Sequence, residues 1–223
     1  MRDRQAHPAD GQGQRGASVE PGSSATSYRS TDQQRLASAR AYCDLLYGDR
    51  SGYVYMFTGA GGYFTPNDSY KFICKTQFWW AWPDTRDEFL SLPLVDVANL
   101  DDVYVCPQLR RQRTATQDPT TTGCTLWCDV DGPWTAQRQA ALDAFLQGRA
   151  AHIVDSGHGK HVYVPLDRMY LGEEIEHGNR ILMKVLDGDS KWSENSLLRL
   201  PGAFNHKDGA RGGTSTLVRW DQP

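Results

Sequence analysis

The sequence contains no run of about 20 apolar residues, the length that a membrane-spanning helix requires, and its first residues lack the apolar core of a secretory signal. We therefore expect a cytoplasmic protein with no membrane partner. The chain has only five cysteines, an odd number that does not suggest a disulfide framework. In a cytosolic setting these thiols should be reduced.

An excess of charge of one sign is also missing. The 24 basic and 27 acidic residues give a formal net charge of −3, so the chain as a whole does not attract nucleic acid. Any binding of nucleic acid must then depend on local basic patches or on carboxylates that metal ions neutralise.

Large apolar residues are scarce at the start of the chain. Residues 1–28 are rich in Gly, Ser, Gln, Pro and charge, and such a segment buries too little apolar surface to offset the entropy of ordering. We predict a disordered tail over residues 1–28. The remaining residues, 29–223, have enough apolar content for one compact core and are predicted to form a single domain.

The rest of the chain alternates between helical and strand-like segments. Helices are predicted where apolar residues recur at helical spacing, and strands where β-branched and aromatic residues are dense. The predicted helices cover residues 31–48, 135–146 and 171–186. The predicted strands cover residues 53–58, 70–80, 103–106, the segment before Asp131, 150–154, 161–166, 197–200 and 214–220. This order predicts an α/β fold with helices packed against one sheet.

Two acidic residues, Asp129 and Asp131, end an apolar and bulky strand-like segment. On a strand, positions i and i+2 project from the same side, roughly 6.5 to 7 Å apart. Carboxylates so placed can share Mg²⁺ or Mn²⁺ ions, which prefer oxygen ligands and lie about 3.5–4 Å apart in two-metal sites. A plain strand end followed by an Asp-Gly turn explains the same pair, so the motif needs support elsewhere.

A second polar cluster runs from Ser156 to His161 with the sequence Ser-Gly-His-Gly-Lys-His. Its glycines allow a turn whose backbone N–H groups bind phosphate oxygens, and Lys160 adds a point charge. His158 is a further polar side chain of this turn. The alternative is an ordinary hairpin turn with His161 as a core histidine that donates to a carbonyl.

A third cluster follows a short apolar strand. Arg199 lies between leucines, so its guanidinium should leave the strand on the functional face, where it can hold a phosphate in bidentate fashion. Asn205 and Lys207 come after a Pro-Gly turn and can reach the same ligand. The competing interpretation is a surface arginine followed by a turn.

Two further sets of charged residues lie in predicted loops. Asp187 and Asp189 offer additional carboxylate ligands upstream of Arg199, although simple solvation explains them equally well. The loop 108–122 is predicted to be exposed and mobile. Its arginines, which could hold a nucleic-acid backbone, are Arg110, Arg111 and Arg113.

The order of these motifs resembles the archaeo-eukaryotic primase (AEP) superfamily. The matching elements are Asp129-x-Asp131, Ser156-Gly-x-Gly-x-His161, an acidic loop, and Leu198-Arg199-Leu-Pro-Gly-x-x-Asn205-x-Lys207. Within the superfamily the chain is most similar to the primase-polymerase branch of plasmid, phage and other mobile-element replication proteins. The resemblance covers residues 103–207. It implies an α/β (α+β) catalytic core, in which an antiparallel sheet like that of an RNA-recognition motif is joined to a smaller α/β unit.

The resemblance also implies roles for individual residues. Asp129 and Asp131 would bind two Mg²⁺ or Mn²⁺ ions, and Asp189 fits the third carboxylate best by spacing, with Asp187 and Glu194 as alternatives. The residues expected at the incoming nucleotide are Ser156, His158, Lys160, His161, Arg199, Asn205 and Lys207.

The activity implied is template-directed joining of NTPs or dNTPs on a DNA template or primer, and a helicase domain or partner is among the partners that the resemblance implies. A nuclease of a replication initiator requires a His-x-His metal pair, and the two histidines of the second cluster are wrongly spaced for it. A non-catalytic nucleotide- or nucleic-acid-binding module on the same sheet remains an alternative.

Three tryptophans, Trp79, Trp80 and Trp82, lie close together in an aromatic segment. Clustered tryptophans commonly bury apolar area, so we predict that they pack in the core or in a lid. Stacking on template bases is the alternative.

Overall fold

The computed structural model describes residues 24–92, 101–118 and 121–221. The helices in these residues are α1 (Ser24–Tyr47), α2 (Arg86–Leu92), α3 (Ala136–Leu146) and α4 (Gly172–Leu186). The strands are β1 (Gly52–Phe64), β2 (Tyr70–Trp82), β3 (Asp101–Val105), β4 (Thr122–Asp131), β5 (His152–Asp155), β6 (Gly159–Leu171), β7 (Leu198–Arg199), β8 (Phe204–Asn205), β9 (Thr216–Leu217) and β10 (Arg219–Asp221). No described helix is long and apolar enough to cross a membrane.

The long strands form two separate four-stranded sheets. Sheet A has the order β2-β1-β3-β7 and sheet B the order β10-β5-β6-β4, while β8 pairs with β9. Every pairing between these described strands is antiparallel. The predicted α+β class with antiparallel pairing is therefore confirmed. The expectation of one sheet was wrong, because residue patterns locate strands but do not specify which strands pair.

Helix α1 joins the two sheets. Its residue Tyr42 is fully buried and its hydroxyl lies 3.0 Å from the hydroxyl of Tyr163 on sheet B. The hydroxyl of Tyr47 donates to the carbonyl of Cys106, directly after sheet A, at 2.6 Å. The helix begins at Ser24, before the predicted start at residue 31. Of the predicted tail, residues 1–23 lie outside the described residues.

Helix α4 and the loop after it cover the free edge of strand β4. Because β4 lies at the edge of sheet B, its outward N–H and C=O groups need partners other than a strand. Asn179 accepts from the N–H of Trp127 at 2.8 Å and donates to the carbonyl of Trp192 at 3.0 Å. The N–H of Asp189 donates to the carbonyl of Asp129 at 2.7 Å. This edge packing holds the acidic loop beside the carboxylate strand.

Glycines in β1 leave room for aromatic rings of β2 to pack closely against the β1 backbone. A Cβ on Gly59 would lie only 2.5 Å from ring carbons of Phe72, and a Cβ on Gly62 would overlap the hydroxyl of Tyr70. Gly61 between them has φ +62°, in the left-handed region that favours glycine. The rings of Tyr70 and Phe72 thereby reach the cleft between the two sheets.

Candidate active site

Asp129 and Asp131 lie at the end of β4 and line a cleft between sheets A and B. Asp129 pairs with His161 and Asp131 with Gly159 on the neighbouring strand β6. A Cβ on Gly159 would collide with the carbonyl oxygen of Val130, so this close approach of β6 to β4 requires glycine. Both carboxylates thus reach the same cleft, as their spacing predicts.

The cleft has walls from both sheets and from the loops after α4 and β8. Its lining residues are Tyr70, Phe72, Tyr104, Asp129, Asp131, Ser156, His158, His161, Lys191, Leu197, Leu198, Arg199, Asn205 and Lys207. Acidic groups lie on the sheet B side, and the cations come from β7 and from the two loops. Lys191 was not singled out from the sequence.

The carboxylates repel one another. Burial and the negative charges of Asp131 and Asp189 raise the pKa of Asp129 to about 7, although the cations Lys191 and Arg199 partly oppose the shift. The acidic side chains are therefore close and incompletely neutralised, and their oxygens are the ligands that hard divalent cations prefer. Among the described residues, no three His, Cys, Asp or Glu side chains already converge as a metal cluster. The donor chemistry fits Mg²⁺ or Mn²⁺.

The three candidates for a third carboxylate have different surroundings. Asp189 lies beside Asp129, as its backbone hydrogen bond and its effect on the Asp129 pKa show. The Asp187 side chain is fully exposed and lies 3.9 Å from Arg138. Glu194 is buried and paired with Arg110. Of these three carboxylates, Asp189 is the one that lies beside Asp129, where a third metal ligand is expected.

His161 is a buried and neutral imidazole. Its pKa is lowered to about 3, first by burial and then by the nearby charge of Arg199. Its Nε2 lies 3.6 Å from Asp129 Oδ1, beyond hydrogen-bond distance, and its buried Nδ1 has no partner in the structure. The ring lines the cleft beside Asp129, and its Nδ1 is one of the few buried polar atoms of the described residues without a partner.

Of the residues predicted in and next to the turn before β6, Ser156 and His158 line the cleft and Lys160 does not. Ser156 donates from its hydroxyl to the carbonyl of Gly159 at 3.1 Å, and His158 Nε2 lies 3.1 Å from Asp208. Both line the cleft. Lys160 does not, because its Nζ contacts Asp155 at 2.9 Å and strand alternation directs it to the side opposite His161. The prediction of Lys160 as a nucleotide ligand therefore does not match its position.

Arg199 is held in place by a buried carboxylate that sequence reasoning missed. Asp102, only 1% exposed, forms an ion pair with Arg199. It also accepts from the Tyr70 hydroxyl at 2.8 Å and from the backbone N–H of His206 at 3.2 Å. The Arg199 guanidinium lies 4.7 Å from the centre of the Tyr104 ring. The sequence contained one sign of this role: Asp102 and Tyr104 are two positions apart on one strand and therefore share a face.

Asn205 and Lys207 have different positions in the cleft. Asn205 is 2% exposed, donates to the carbonyl of Ser156 at 2.7 Å and accepts from the N–H of Lys207 at 3.1 Å. It thereby ties the strand β8 to the Ser156 turn. Lys207 extends from this anchored segment into the cleft.

The loop after β8 contacts both walls of the cleft. Asp208 lies beside His158 of sheet B, while Arg211 pairs with Asp68 at the tip of the β1–β2 hairpin. The Arg211 guanidinium also lies 3.9 Å from the centre of the Phe64 ring. These contacts link the two sheets at one end of the cleft.

The three arginines predicted to form one exposed cluster differ in burial. Arg110 is buried, with its side chain 1% exposed and 3.3 Å from Glu194, so it stabilises the interior and is not on the surface. Arg111 and Arg113 are exposed, and Arg113 lies over the Tyr53 ring at 5.1 Å. The prediction of an exposed, mobile loop was wrong at Arg110, because its partner Glu194 is far away in the sequence.

Comparison with known proteins identifies the fold. No protein-family model matches the chain, and no curated protein matches its sequence. The catalytic domain of the primase RepB', solved in complex with initiator DNA, is 14% identical and superposes with a TM-score of 0.56 over 85% of each chain. The AEP domain of the cyanophage S-2L primase-polymerase is 12% identical, with a TM-score of 0.55 over 83% of this chain and 89% of that one. The chain therefore has the AEP primase-polymerase fold, as the motif order predicted.

Proposed function

We propose that this protein is a template-directed nucleotidyltransferase, a primase-polymerase that joins NTPs or dNTPs on DNA. The observation that carries the proposal is the distribution of charge in the cleft. Carboxylates of β4 lie on one side, and Lys191, Arg199 and Lys207 reach the cleft from other segments. Phosphoryl transfer depends mainly on positioning and charge neutralisation, and this site offers both without a nucleophilic side chain.

The carboxylate side is proposed to bind two Mg²⁺ or Mn²⁺ ions through Asp129, Asp131 and Asp189. The chemistry that such ions supply is activation of a primer 3′-hydroxyl for attack on the α-phosphate and neutralisation of the leaving pyrophosphate. The raised pKa of Asp129 supports this assignment, because its causes are burial and then the charges of Asp131 and Asp189, and a bound cation would offset both.

The cationic side is proposed to hold the triphosphate. Arg199 presents a planar guanidinium that Asp102 and the Tyr104 ring keep in one orientation. Lys207 adds a charge from a backbone segment that Asn205 anchors. Asp102 accepts from the N–H of His206, next to Lys207, and so contacts both cationic segments. It is a positioning residue in this scheme.

His161 is proposed to contact the nucleotide as a neutral group. A neutral imidazole has one N–H donor and one acceptor nitrogen, so it can donate a single hydrogen bond to a phosphate or sugar oxygen. It adds no positive charge beside the carboxylates, which leaves their oxygens available to cations. Its place in the lining of the cleft supports a contact with bound substrate.

DNA is the proposed template because the likeness to the two solved structures extends over most of the chain. One of these proteins was crystallised with initiator DNA and the other is described as a primase-polymerase. The shared fold supports the same substrate class here, and the cleft supplies the groups that the chemistry needs.

The test is extension of a labelled primer on a DNA template with dNTPs or NTPs and with Mg²⁺ or Mn²⁺. The wild type should extend the primer, and Asp129→Ala and Asp131→Ala should each lose at least about 100-fold in rate, since metal-assisted charge stabilisation contributes several kcal/mol. Asp187→Ala removes an exposed carboxylate outside the cleft and should leave the rate unchanged. A folded wild type that binds nucleotide but never extends a primer would instead identify a binding module.

A further inference from the structure

The side of sheet A that borders the cleft continues as a surface of aromatic rings. Residues that pair across neighbouring strands point to the same side of a sheet. Here Tyr55 pairs with Trp79, Phe57 with Tyr104, and Tyr104 with Arg199, so their side chains share one side of sheet A. We call this surface the aromatic face and define it by Tyr53, Tyr55, Phe57, Trp79 and Tyr104. Tyr104 also lines the cleft, so the two are continuous.

Trp79 is the outer ring of this face. It stacks flat on Tyr55, with ring centres 4.4 Å apart and an angle of 9° between the planes. Tyr55 beneath it is only 4% exposed, whereas Trp79 is half-buried and keeps solvent-accessible ring surface. Trp80 and Trp82 point to the opposite side, where both contact Phe89. The core therefore uses two of the three tryptophans, and the third lies outside it.

The charges around the aromatic face are positive. Arg113 lies over the Tyr53 ring at 5.1 Å and Arg199 over the Tyr104 ring at 4.7 Å. Lys75 is exposed on β2, four residues before Trp79 and therefore on the same side. Among the described strand positions on this side, the single carboxylate is Asp102, and it is paired with Arg199.

We infer that the aromatic face binds a single-stranded nucleic acid, and that this strand is the template that passes into the cleft. Aromatic rings with accessible surface beside cations are the features that bind single strands, because bases stack on the rings while the cations hold phosphates. A duplex hides its base faces and offers only phosphates to the same surface. An apolar protein segment would not use the cations that flank the rings.

The role as template rests on the proposed function, but binding of the strand does not require catalysis. The experiment measures anisotropy of a fluorescein-labelled 20-residue oligo-dT and of a duplex of equal length, in EDTA so that the metal site contributes nothing. The variants are Trp79→Ala and Trp79→Phe. Tyr170→Ala is the matched control, because Tyr170 is a half-buried aromatic on sheet B with its own stacked arginine, Arg168.

Trp79→Ala should weaken oligo-dT binding by about 10-fold, since stacking of one base contributes about 1–3 kcal/mol. Trp79→Phe should recover most of the affinity, and Tyr170→Ala should match the wild type. Duplex binding should change by less than twofold in every variant. An unfolded Trp79→Ala protein would be recognised by its melting curve, in which case the wild-type to Trp79→Phe comparison and a Lys75→Ala variant carry the test.

Equal oligo-dT affinity in the wild type and a folded Trp79→Ala variant would overturn the inference, as would equal losses for oligo-dT and duplex. Its failure is separable from failure of the proposed function. A wild type that binds oligo-dT through Trp79 but extends no primer would refute only the polymerase. A wild type that extends primers, with Trp79→Ala equally active at limiting template, would refute only the aromatic face.

Discussion

The two walls of the cleft are built in different ways. The sheet B wall takes its functional groups from the paired strands β4 and β6, where Asp129 lies opposite His161. The sheet A wall takes its groups from segments far apart in sequence, since Asp102 and Arg199 are separated by 97 positions. The first wall is a product of local strand geometry, whereas the second depends on the assembled sheet. Substitutions that disrupt one wall and leave the other intact separate what each wall contributes to stability and to activity.

The largest effect on stability is expected when the ion pair behind the sheet A wall is broken. Asp102→Ala leaves the guanidinium of Arg199 nearly buried without its carboxylate, which should cost about 3–5 kcal/mol of unfolding free energy. Urea unfolding measures this loss. In primer extension, the KM for nucleotide should rise by more than kcat falls, because Arg199 would lose its orientation. A variant with normal stability and normal KM would show that Asp102 positions nothing.

The second largest loss of stability is expected in the sheet B wall, at Gly159. A Cβ there collides with the backbone of Val130, so Gly159→Ala should destabilise the protein by about 3 kcal/mol through forced backbone movement. Gly209→Ala is the control, since the nearest atom to its added Cβ would be the Ser215 hydroxyl at 3.3 Å and its φ is not positive. Similar denaturation midpoints for the two variants would contradict the close approach of β6 to β4.

The charge on the sheet B wall should make stability depend on pH. The pKa of Asp129 is about 7 in the folded protein and about 3.9 in an unfolded chain, so the folded state binds the extra proton. Stability from this group is then highest below about pH 4 and declines by about 1.4 kcal/mol per pH unit as the pH rises to about 7. Thermal melting of the wild type and Asp129→Asn from pH 5 to pH 8 measures the difference.

Asp129→Asn should remove this decline and should be more stable than the wild type at pH 8 in EDTA. Added Mg²⁺ should raise the melting temperature of the wild type at pH 8 more than that of the variant, because cation binding relieves the same repulsion. Identical pH profiles for the two proteins would show that Asp129 is not the titrating group.

The smallest expected effect is at the outer edge of the sheet A wall. Tyr70→Phe removes one hydrogen bond to Asp102 and leaves the Arg199 pair in place, so it should cost about 1 kcal/mol. Tyr63→Phe, at an exposed position in the same hairpin, is the matched control. If Tyr70→Phe were as damaging as Asp102→Ala, the hydroxyl and not the ion pair would be the main support of Asp102.

Local patterns in the sequence predicted α3 and α4 well, but they placed the start of α1 at residue 31 instead of Ser24 and gave no sign of α2. Helices α3 and α4 begin within one residue of the predicted positions. The start of α3 is set by the Thr135 side chain, which accepts from the N–H of Arg138, and that of α4 by regular apolar spacing.

Most of the predicted site residues line the cleft. Lys160 was misplaced although strand alternation was available, since it directly precedes His161 and must point to the other side. Arg110 was assigned to an exposed loop because its sequence neighbourhood does not reveal its distant partner, Glu194.

The sequence by itself determined that Asp129 and Asp131 share one side of a strand, because alternation is a local property of an extended backbone. It also determined the motif order that resembles AEP primase-polymerases. Only the tertiary structure decided that two sheets face each other and that Asp102 supports Arg199. It also decided that Trp79 lies outside the core while its neighbours Trp80 and Trp82 pack inward. These features depend on which strands pair and at which register, and long-range packing sets that choice.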